Sequence, residues 1–295
     1  MFDASRFMPR MRSLNLTDLI LNLAGVLLWV NWRSVRLDPL VKTTPATLAG
    51  TLRRAEPHRF KRWHFLLVLA GLLFLRAVLY WQIGAAADWT PSLHLGGIDN
   101  AIPFRSDRFG LMVLFSLLSF AGSLGVFYLW LLLPSLVNGH GADEDPVQRL
   151  VRFYLGRIDR WPWPVKALLP FLVTGIAWFL LDLLLVRLEL IRAAVSPAAR
   201  IEQAVAVGLG SYLLWKYLIG VLLGLYLLSS YVYFGNQPFW SFVGLTGRNL
   251  LAPLRPVPLR LGRADFAPLV GAALVFFVAY WAQRGLTVVY RHPPM

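Results

Sequence analysis

The sequence predicts an all-α membrane protein, a polytopic helical bundle of about six spans built from three span–loop–span hairpin repeats. Two observations carry the prediction: 57% of the 295 residues are hydrophobic and only 15% are charged, and the apolar residues are concentrated in long blocks. A soluble chain is about 45–50% apolar and about 25% charged, whereas a membrane helix needs roughly 20 apolar residues. We therefore interpret residues 1–295 as a single membrane domain.

Six apolar blocks are candidates for spans. The first is the weakest because it is short and contains Asp18 and Asn22, so it either crosses the membrane or lies partly in the interface. The fifth is unusually long and must tilt or begin outside the membrane. In chain order the blocks are Thr17–Arg33, His64–Gly84, Gly110–Val137, Val165–Leu190, Ala204–Phe234 and Phe266–Thr287.

Lys and Arg residues are concentrated in the loops after the first, third and fifth blocks. Because cytoplasmic loops collect basic residues, we expect these odd-numbered loops in the cytoplasm of a bacterium, with the chain in its inner membrane. The net charge of +14 is then explained by loops that contact anionic lipid, so nucleic acid is not expected as a partner. The chain has no cysteine, which excludes disulfides, thiol nucleophiles and Cys-ligated metals.

A repeat is visible in the odd-numbered loops, each of which opens with a polar residue, a proline and an apolar residue. The three copies cover residues 14–84, 110–190 and 204–289. The openings are Asp38-Pro39-Leu40, Asp145-Pro146-Val147 and Gln237-Pro238-Phe239.

The second loop is predicted to contain a short basic amphipathic helix, since its apolar residues recur at steps of three and four. These residues are Val147, Leu150, Val151, Tyr154, Ile158 and Trp161. Such a helix either lies on an anionic leaflet or packs on its own bundle. Phe239, Phe242, Val243 and Thr246 repeat the pattern in the third loop.

The third loop carries a distinctive motif: Asn236-Gln237-Pro238-Phe239-Trp240, then Pro253-Leu254-Arg255, Pro258, Gly262 and Asp265-Phe266-Ala267-Pro268. Over residues 226–275 this resembles the signature of the YggT family, small bacterial and plastid membrane proteins made of span–loop–span units. Arg263 replaces one glycine of the usual pair, and the common family form has two units. The residues expected to contact lipid or a partner are Pro238, Trp240, Arg248, Pro253, Arg255, Pro258, Arg260, Gly262, Asp265 and Pro268.

Within that motif, Asp265 is expected to cap the last helix, whose first turn contains Pro268. The nearby prolines are expected to hold an extended return path along the membrane surface. The resemblance implies a non-enzymatic membrane scaffold or assembly factor. Relatives are linked to cytochrome b haem maturation in plastids, and others to cell division or osmotic response.

Charges inside the blocks are functional candidates because ionisable groups are costly in a bilayer. Arg76 and Asp182 fall at matching depth if the copies are aligned, and we expect them to form a structural ion pair. Lys216 is expected to extend to the interface.

No catalytic set is visible, and no metal or cofactor is predicted, which favours the scaffold. Its expected partners are anionic lipid headgroups and a membrane protein or a second copy of the chain. The alternative function is a channel or transporter for a small solute or ion that uses Arg76 and Asp182. An enzyme acting on lipid would need a polar cluster at one face, where the sequence offers only arginines.

Overall fold

The computed structural model describes residues 8–34, 62–87, 90–94, 97–98, 101–139, 145–191, 196–232, 234–235, 237–257, 259–261 and 264–291. The α-helices in these ranges are α1 Met8–Ser34, α2 Arg62–Ala87, α3 Phe109–Val137, α4 Pro146–Leu155, α5 Trp163–Arg187, α6 Pro197–Gly210, α7 Trp215–Tyr231, α8 Pro238–Leu250 and α9 Ala267–Arg291. Short 3-10 helices follow α4, α6 and α8, at Gly156–Arg160, Ser211–Leu214 and Ala252–Leu254.

The protein is an all-α, multi-pass membrane protein. Five of the described helical segments are long and apolar enough to cross a bilayer: Arg62–Gly84, Phe109–Val137, Trp163–Arg187, Pro197–Tyr231 and Ala267–Arg291. Only 11% to 33% of the most apolar window in each is buried within the protein. The remaining apolar surface is what a lipid-facing helix presents, since a bilayer is as apolar as the side chains themselves.

The fifth apolar block consists of two α-helices and not one. The α6 and α7 helices are joined by the 3-10 turn Ser211–Leu214 within a segment of 35 residues. This segment begins at Pro197, capped by the Ser196 hydroxyl, which accepts a hydrogen bond from the Ala199 amide at 3.1 Å. The helical segment therefore begins seven residues before Ala204, the first residue of the fifth apolar block.

Two short antiparallel hairpins are the only strands in the described ranges, and the sequence pattern did not predict them. Strand β1 (Ser92–His94) pairs with β2 (Ala101–Pro103), and β3 (Arg260–Leu261) pairs with β4 (Ala264–Asp265). The expectation of an extended return path in the third loop is wrong at Pro253, which lies in a 3-10 helix. A proline at the start of a helical turn has no amide to lose.

The chain divides into two compact units. The first comprises residues 1–91 and 104–124, and the second comprises residues 92–103 and 125–295. In the first unit α1 and α2 pack as an antiparallel pair. Their contacts recur every seven residues, at Trp32 with Arg62, Gly25 with Leu69 and Asp18 with Arg76. A spacing of seven is typical of the shallow crossing of a coiled coil.

In the second unit α5 and α6 approach closely at glycines. A Cβ on Gly208 would lie 2.9 Å from the carbonyl oxygen of Phe171, and a Cβ on Gly175 would lie 3.2 Å from that of Ala204. Small residues allow membrane helices to pack backbone against backbone. Helix α9 packs on both α6 and α7, so these four helices form one bundle.

Candidate functional site

Arg76 lies at the centre of a buried polar network in the first unit. The side chain of Arg76 is 1% exposed. Its Nη1 donates to Oδ1 of Asn22 at 2.7 Å, and its Nη2 donates to Oδ1 of Asp18. The Tyr80 hydroxyl donates to the same Asp18 oxygen at 3.0 Å, and the Ser119 hydroxyl donates to Oδ2 at 3.3 Å. The guanidinium charge is therefore balanced by a carboxylate held in the same unit.

Aromatic rings complete the surroundings of Arg76. Its guanidinium carbon lies 5.4 Å from the ring centre of Tyr80 and 5.5 Å from that of Phe115. Asp18 is the most accessible member of the network, since its side chain is 25% exposed. An ion pair in an apolar setting is favourable only when further hydrogen bonds satisfy both groups, and this network supplies several of them.

Asp182 forms a second ion pair, in the second unit. Its Oδ2 lies 2.7 Å from Nε of Arg200 on α6, although the two groups are not aligned as a hydrogen bond. The pair lies where α5 ends and α6 begins, close to an end of the bundle. The predicted pair between Arg76 and Asp182 is wrong, because each charge is neutralised by a residue of its own unit.

Two lysines are also tied inside the second unit. Lys166 follows a basic loop in the sequence, but it lies in the first turn of α5 and is 5% exposed. Its ammonium donates to the carbonyl and hydroxyl oxygens of Ser135, at 3.3 and 3.1 Å, and to the carbonyl of Asp159 at 3.2 Å. Lys216 donates to Oε1 of Gln283 on α9 at 2.9 Å.

The predicted amphipathic helices are present and pack on their own bundle. Helix α4 buries Gln148, Val151, Tyr154 and Leu155, and α8 buries Phe242, Val243, Thr246 and Gly247. Leu150 and Phe239 were expected on the apolar faces but are exposed. We call the surface formed by α4, α8 and the 3-10 helices that follow them the basic platform.

A buried amide network joins the two halves of the basic platform. The side-chain nitrogen of Asn138, at the end of α3, donates to Oε1 of Gln148 at 3.3 Å and to the Thr246 hydroxyl at 2.9 Å. The Asn249 amide donates back to Oδ1 of Asn138 at 3.2 Å. Gln148 is 1% exposed. These bonds fix α4 and α8 to one another and to α3.

Two acidic residues among the described part of the platform, Asp145 and Asp159, are used internally. Asp145 accepts a hydrogen bond from the Val147 amide at 2.9 Å and so caps α4. Asp159 accepts from the Ser135 hydroxyl at 2.6 Å and lies 3.3 Å from Nε of Arg152. The residues that the structure describes on this surface therefore present positive charge outward. Four platform arginines are exposed, and no acidic residue lies in contact with them among the described residues: Arg157, Arg160, Arg248 and Arg255.

The structure places most of the motif residues of the third loop. Pro238 is the first residue of α8, and the Trp240 ring stacks on Phe234 with centres 4.1 Å apart. Asp265 accepts from the Ala267 amide at 3.0 Å, as its predicted capping role requires, and Pro268 is buried in the first turn of α9. Pro258 and Gly262 lie outside the described residues, as does the side chain of Arg260.

The partners of Arg76 are the residues that sequence reasoning missed. In the sequence, Asp18 and Asn22 stand out only as features that weaken the first block. Their spacing of four places them on one helical face, and Arg76 and Tyr80 have the same spacing. Two polar pairs with the same spacing, in neighbouring blocks, were the signal from which this contact could have been predicted.

Comparison of the chain with protein-family models, curated proteins and solved structures finds no match. Its function is therefore argued from the residues and their geometry.

Proposed function

We propose that this chain is a non-enzymatic membrane scaffold or assembly factor whose basic platform faces the cytoplasm of a bacterium from the inner membrane. The observation that carries the proposal is the platform itself. Two amphipathic helices are fixed by a buried amide network. They present arginines, while Asp145 and Asp159, the acids described beside them, are bonded internally. A rigid surface of one charge suits anionic lipid or an acidic partner protein.

The intramembrane charges support this proposal over a transporter. Arg76 and Asp182 each have an opposite charge within their own unit. Each pair joins two helices of its unit, as a structural role requires, whereas a transport site must release its partner in each cycle. The resemblance to the YggT family agrees with a scaffold role and stays a prediction.

The test is site-specific photo-crosslinking in native membranes. A photoreactive residue at Leu150 or Phe239, which are 48% and 44% exposed on the platform, is expected to give a discrete adduct with one protein. The matched control position is Phe277, which is 64% exposed on the apolar face of α9 and should give lipid adducts only. The double variants Arg157→Gln with Arg160→Gln and Arg248→Gln with Arg255→Gln should weaken the protein adduct. Lipid adducts alone at all three positions would contradict the scaffold.

One observation favours the channel or transporter as a second candidate: the carboxylate of Asp18 keeps 25% of its side-chain surface exposed. This candidate requires that purified protein in vesicles conducts an ion or solute, and that Asp18→Asn abolishes the flux while the protein remains folded. A lack of flux across a panel of monovalent ions would argue against it.

A further inference from the structure

Helix α1 carries two strongly polar side chains between its apolar residues. It contains 27 residues, which is long enough to cross a bilayer. It nevertheless carries Asp18 and Asn22 in its interior, and both are costly in hydrocarbon when they lack a partner. On its own, such a helix is expected to rest at the membrane surface, where the carboxylate stays hydrated.

The matching surface on α2 compensates for each of these polar residues. Arg76 bonds to both Asp18 and Asn22, and the Asn22 amide also donates to the Ser119 hydroxyl of α3 at 3.0 Å. Arg62, two seven-residue repeats before Arg76, lies over the Trp32 ring at 4.4 Å. The α2 face that carries Arg62, Leu69 and Arg76 therefore fits a helix whose polar side chains have the spacing found in α1.

We infer that this face of α2 is a docking surface whose occupant is α1 of the same chain, and that the Arg76–Asp18 pair is what brings α1 into the membrane. Each charge alone opposes insertion, because an unpaired ionisable group at the centre of a helix is costly in hydrocarbon. Together they form a pair in which both terminal nitrogens of the Arg76 guanidinium donate hydrogen bonds to α1. Membrane helices that associate through polar side chains are a known class. This inference goes beyond the scaffold role and does not depend on it.

The absence of cysteine gives a direct test by labelling with a membrane-impermeant maleimide. One cysteine is placed ahead of Met8, and in a separate variant Asp107→Cys provides a reference on the exposed turn between α2 and α3. If α1 crosses the membrane antiparallel to α2, both cysteines lie on the same side and are labelled together in intact cells or in spheroplasts. The comparison holds whichever side of the membrane that is.

Arg76→Gln is expected to place the two labelled positions on opposite sides of the membrane. Labelling ahead of Met8 should fall by about tenfold on the side where Asp107→Cys remains labelled, because the unpaired Asp18 now opposes insertion. Asp18→Asn, alone or together with Arg76→Gln, should keep the label ahead of Met8 on the side of the Asp107→Cys reference, because it removes the carboxylate that opposes insertion of α1. Exchange of the charges, with Asp18→Arg and Arg76→Asp together, should restore labelling at least in part.

Lys166→Met is the control for general damage, since it removes another buried cation in the second unit and leaves α1 untouched. It should not change the side of the N-terminal label. Unchanged labelling in Arg76→Gln would overturn the inference by showing that α1 crosses without the pair. Opposite sides for the two cysteines in the unaltered protein would overturn it as well, because α1 would then not cross. Neither result bears on the photo-crosslinking of the platform.

Discussion

At the scale of single residues, the polar groups of the spans are held in place by acceptors on neighbouring helices. Lys166 on α5 donates to both oxygens of Ser135 on α3 and to the carbonyl of Asp159. The Ser135 hydroxyl donates its own hydrogen bond to the Asp159 carboxylate. One buried ammonium therefore ties the start of α5 to the end of α3 and to the 3-10 helix between them.

Removal of that ammonium has a predictable cost. Lys166→Met should lower the free energy of unfolding by about 1–3 kcal/mol, because it leaves buried acceptors without a donor. The measurement is the midpoint of unfolding in mild detergent, followed by tryptophan fluorescence. Lys216→Met is the matched control, since it removes one hydrogen bond to one partly buried partner and should cost less. An equal effect for both lysines would show that the Ser135 contacts contribute little.

The residues of these networks were only partly predictable from the sequence. Arg76 and Asp182 stand out because an ionised group in an apolar block always needs a partner. Their actual partners, Asp18 and Arg200, depend on which helices pack together, and periodicity within one helix carries no such information. Equal depth in two copies of a repeat suggested the wrong pair, because depth does not determine which faces meet. Asp265 was predictable because a cap bonds within its own helix end.

At the scale of helices, the second and third loops are built alike. Helices α4 and α8 both begin at the proline that the repeat pattern identified, and each is followed by a 3-10 helix and a span. The buried positions also correspond: Val151 and Val243 lie five residues after the proline, and Tyr154 and Thr246 lie eight residues after it. Proline periodicity thus located both helices, whereas Gln148 was missed because a polar side chain gives no apolar signal.

Close helix packing in the second unit predicts opposite changes in stability when two glycines are replaced by alanine. Gly208→Ala should destabilise the protein by about 1–3 kcal/mol, because the new methyl group would overlap the backbone of Phe171 in α5 and overpacking costs that much. Gly224→Ala on α7 meets no atom within 4 Å. It should be neutral or stabilise by up to about 1 kcal/mol, since alanine is the better helix former.

Unfolding midpoints of the two alanine variants, measured in the same detergent, decide between these outcomes. If Gly208→Ala is as stable as the unaltered protein, then α5 and α6 can separate by a few tenths of an ångström without loss. That result would mean that their contact is looser than the structure describes. Gly285→Ala on α9, which also meets nothing within 4 Å, provides a second reference.

At the scale of the whole molecule, the main feature is the excess of basic over acidic residues. The net charge is +14, and the described acids of the platform, Asp145 and Asp159, are bonded within the protein. An arginine near an anionic leaflet contributes about 1 kcal/mol, and the attraction decays over a Debye length of about 8 Å in physiological salt. The platform should therefore sense the composition of the leaflet that it faces.

Reconstitution in lipid nanodiscs tests this property. The unfolding midpoint should be higher in phosphatidylglycerol than in phosphatidylcholine, and the difference should shrink as salt is raised, because exposed charges are screened. Gln at Arg157 and Arg160 together should remove part of the difference, by roughly 2 kcal/mol at low salt.

The control is Gln at Arg105 and Arg108, which are exposed just before α3 and are predicted to face the opposite leaflet. Nanodiscs expose both leaflets to the same lipid, so this control pair measures what any exposed arginine contributes. An equal loss for both pairs would mean that net charge alone sets the lipid preference, whereas a larger loss at Arg157 and Arg160 would assign it to the platform.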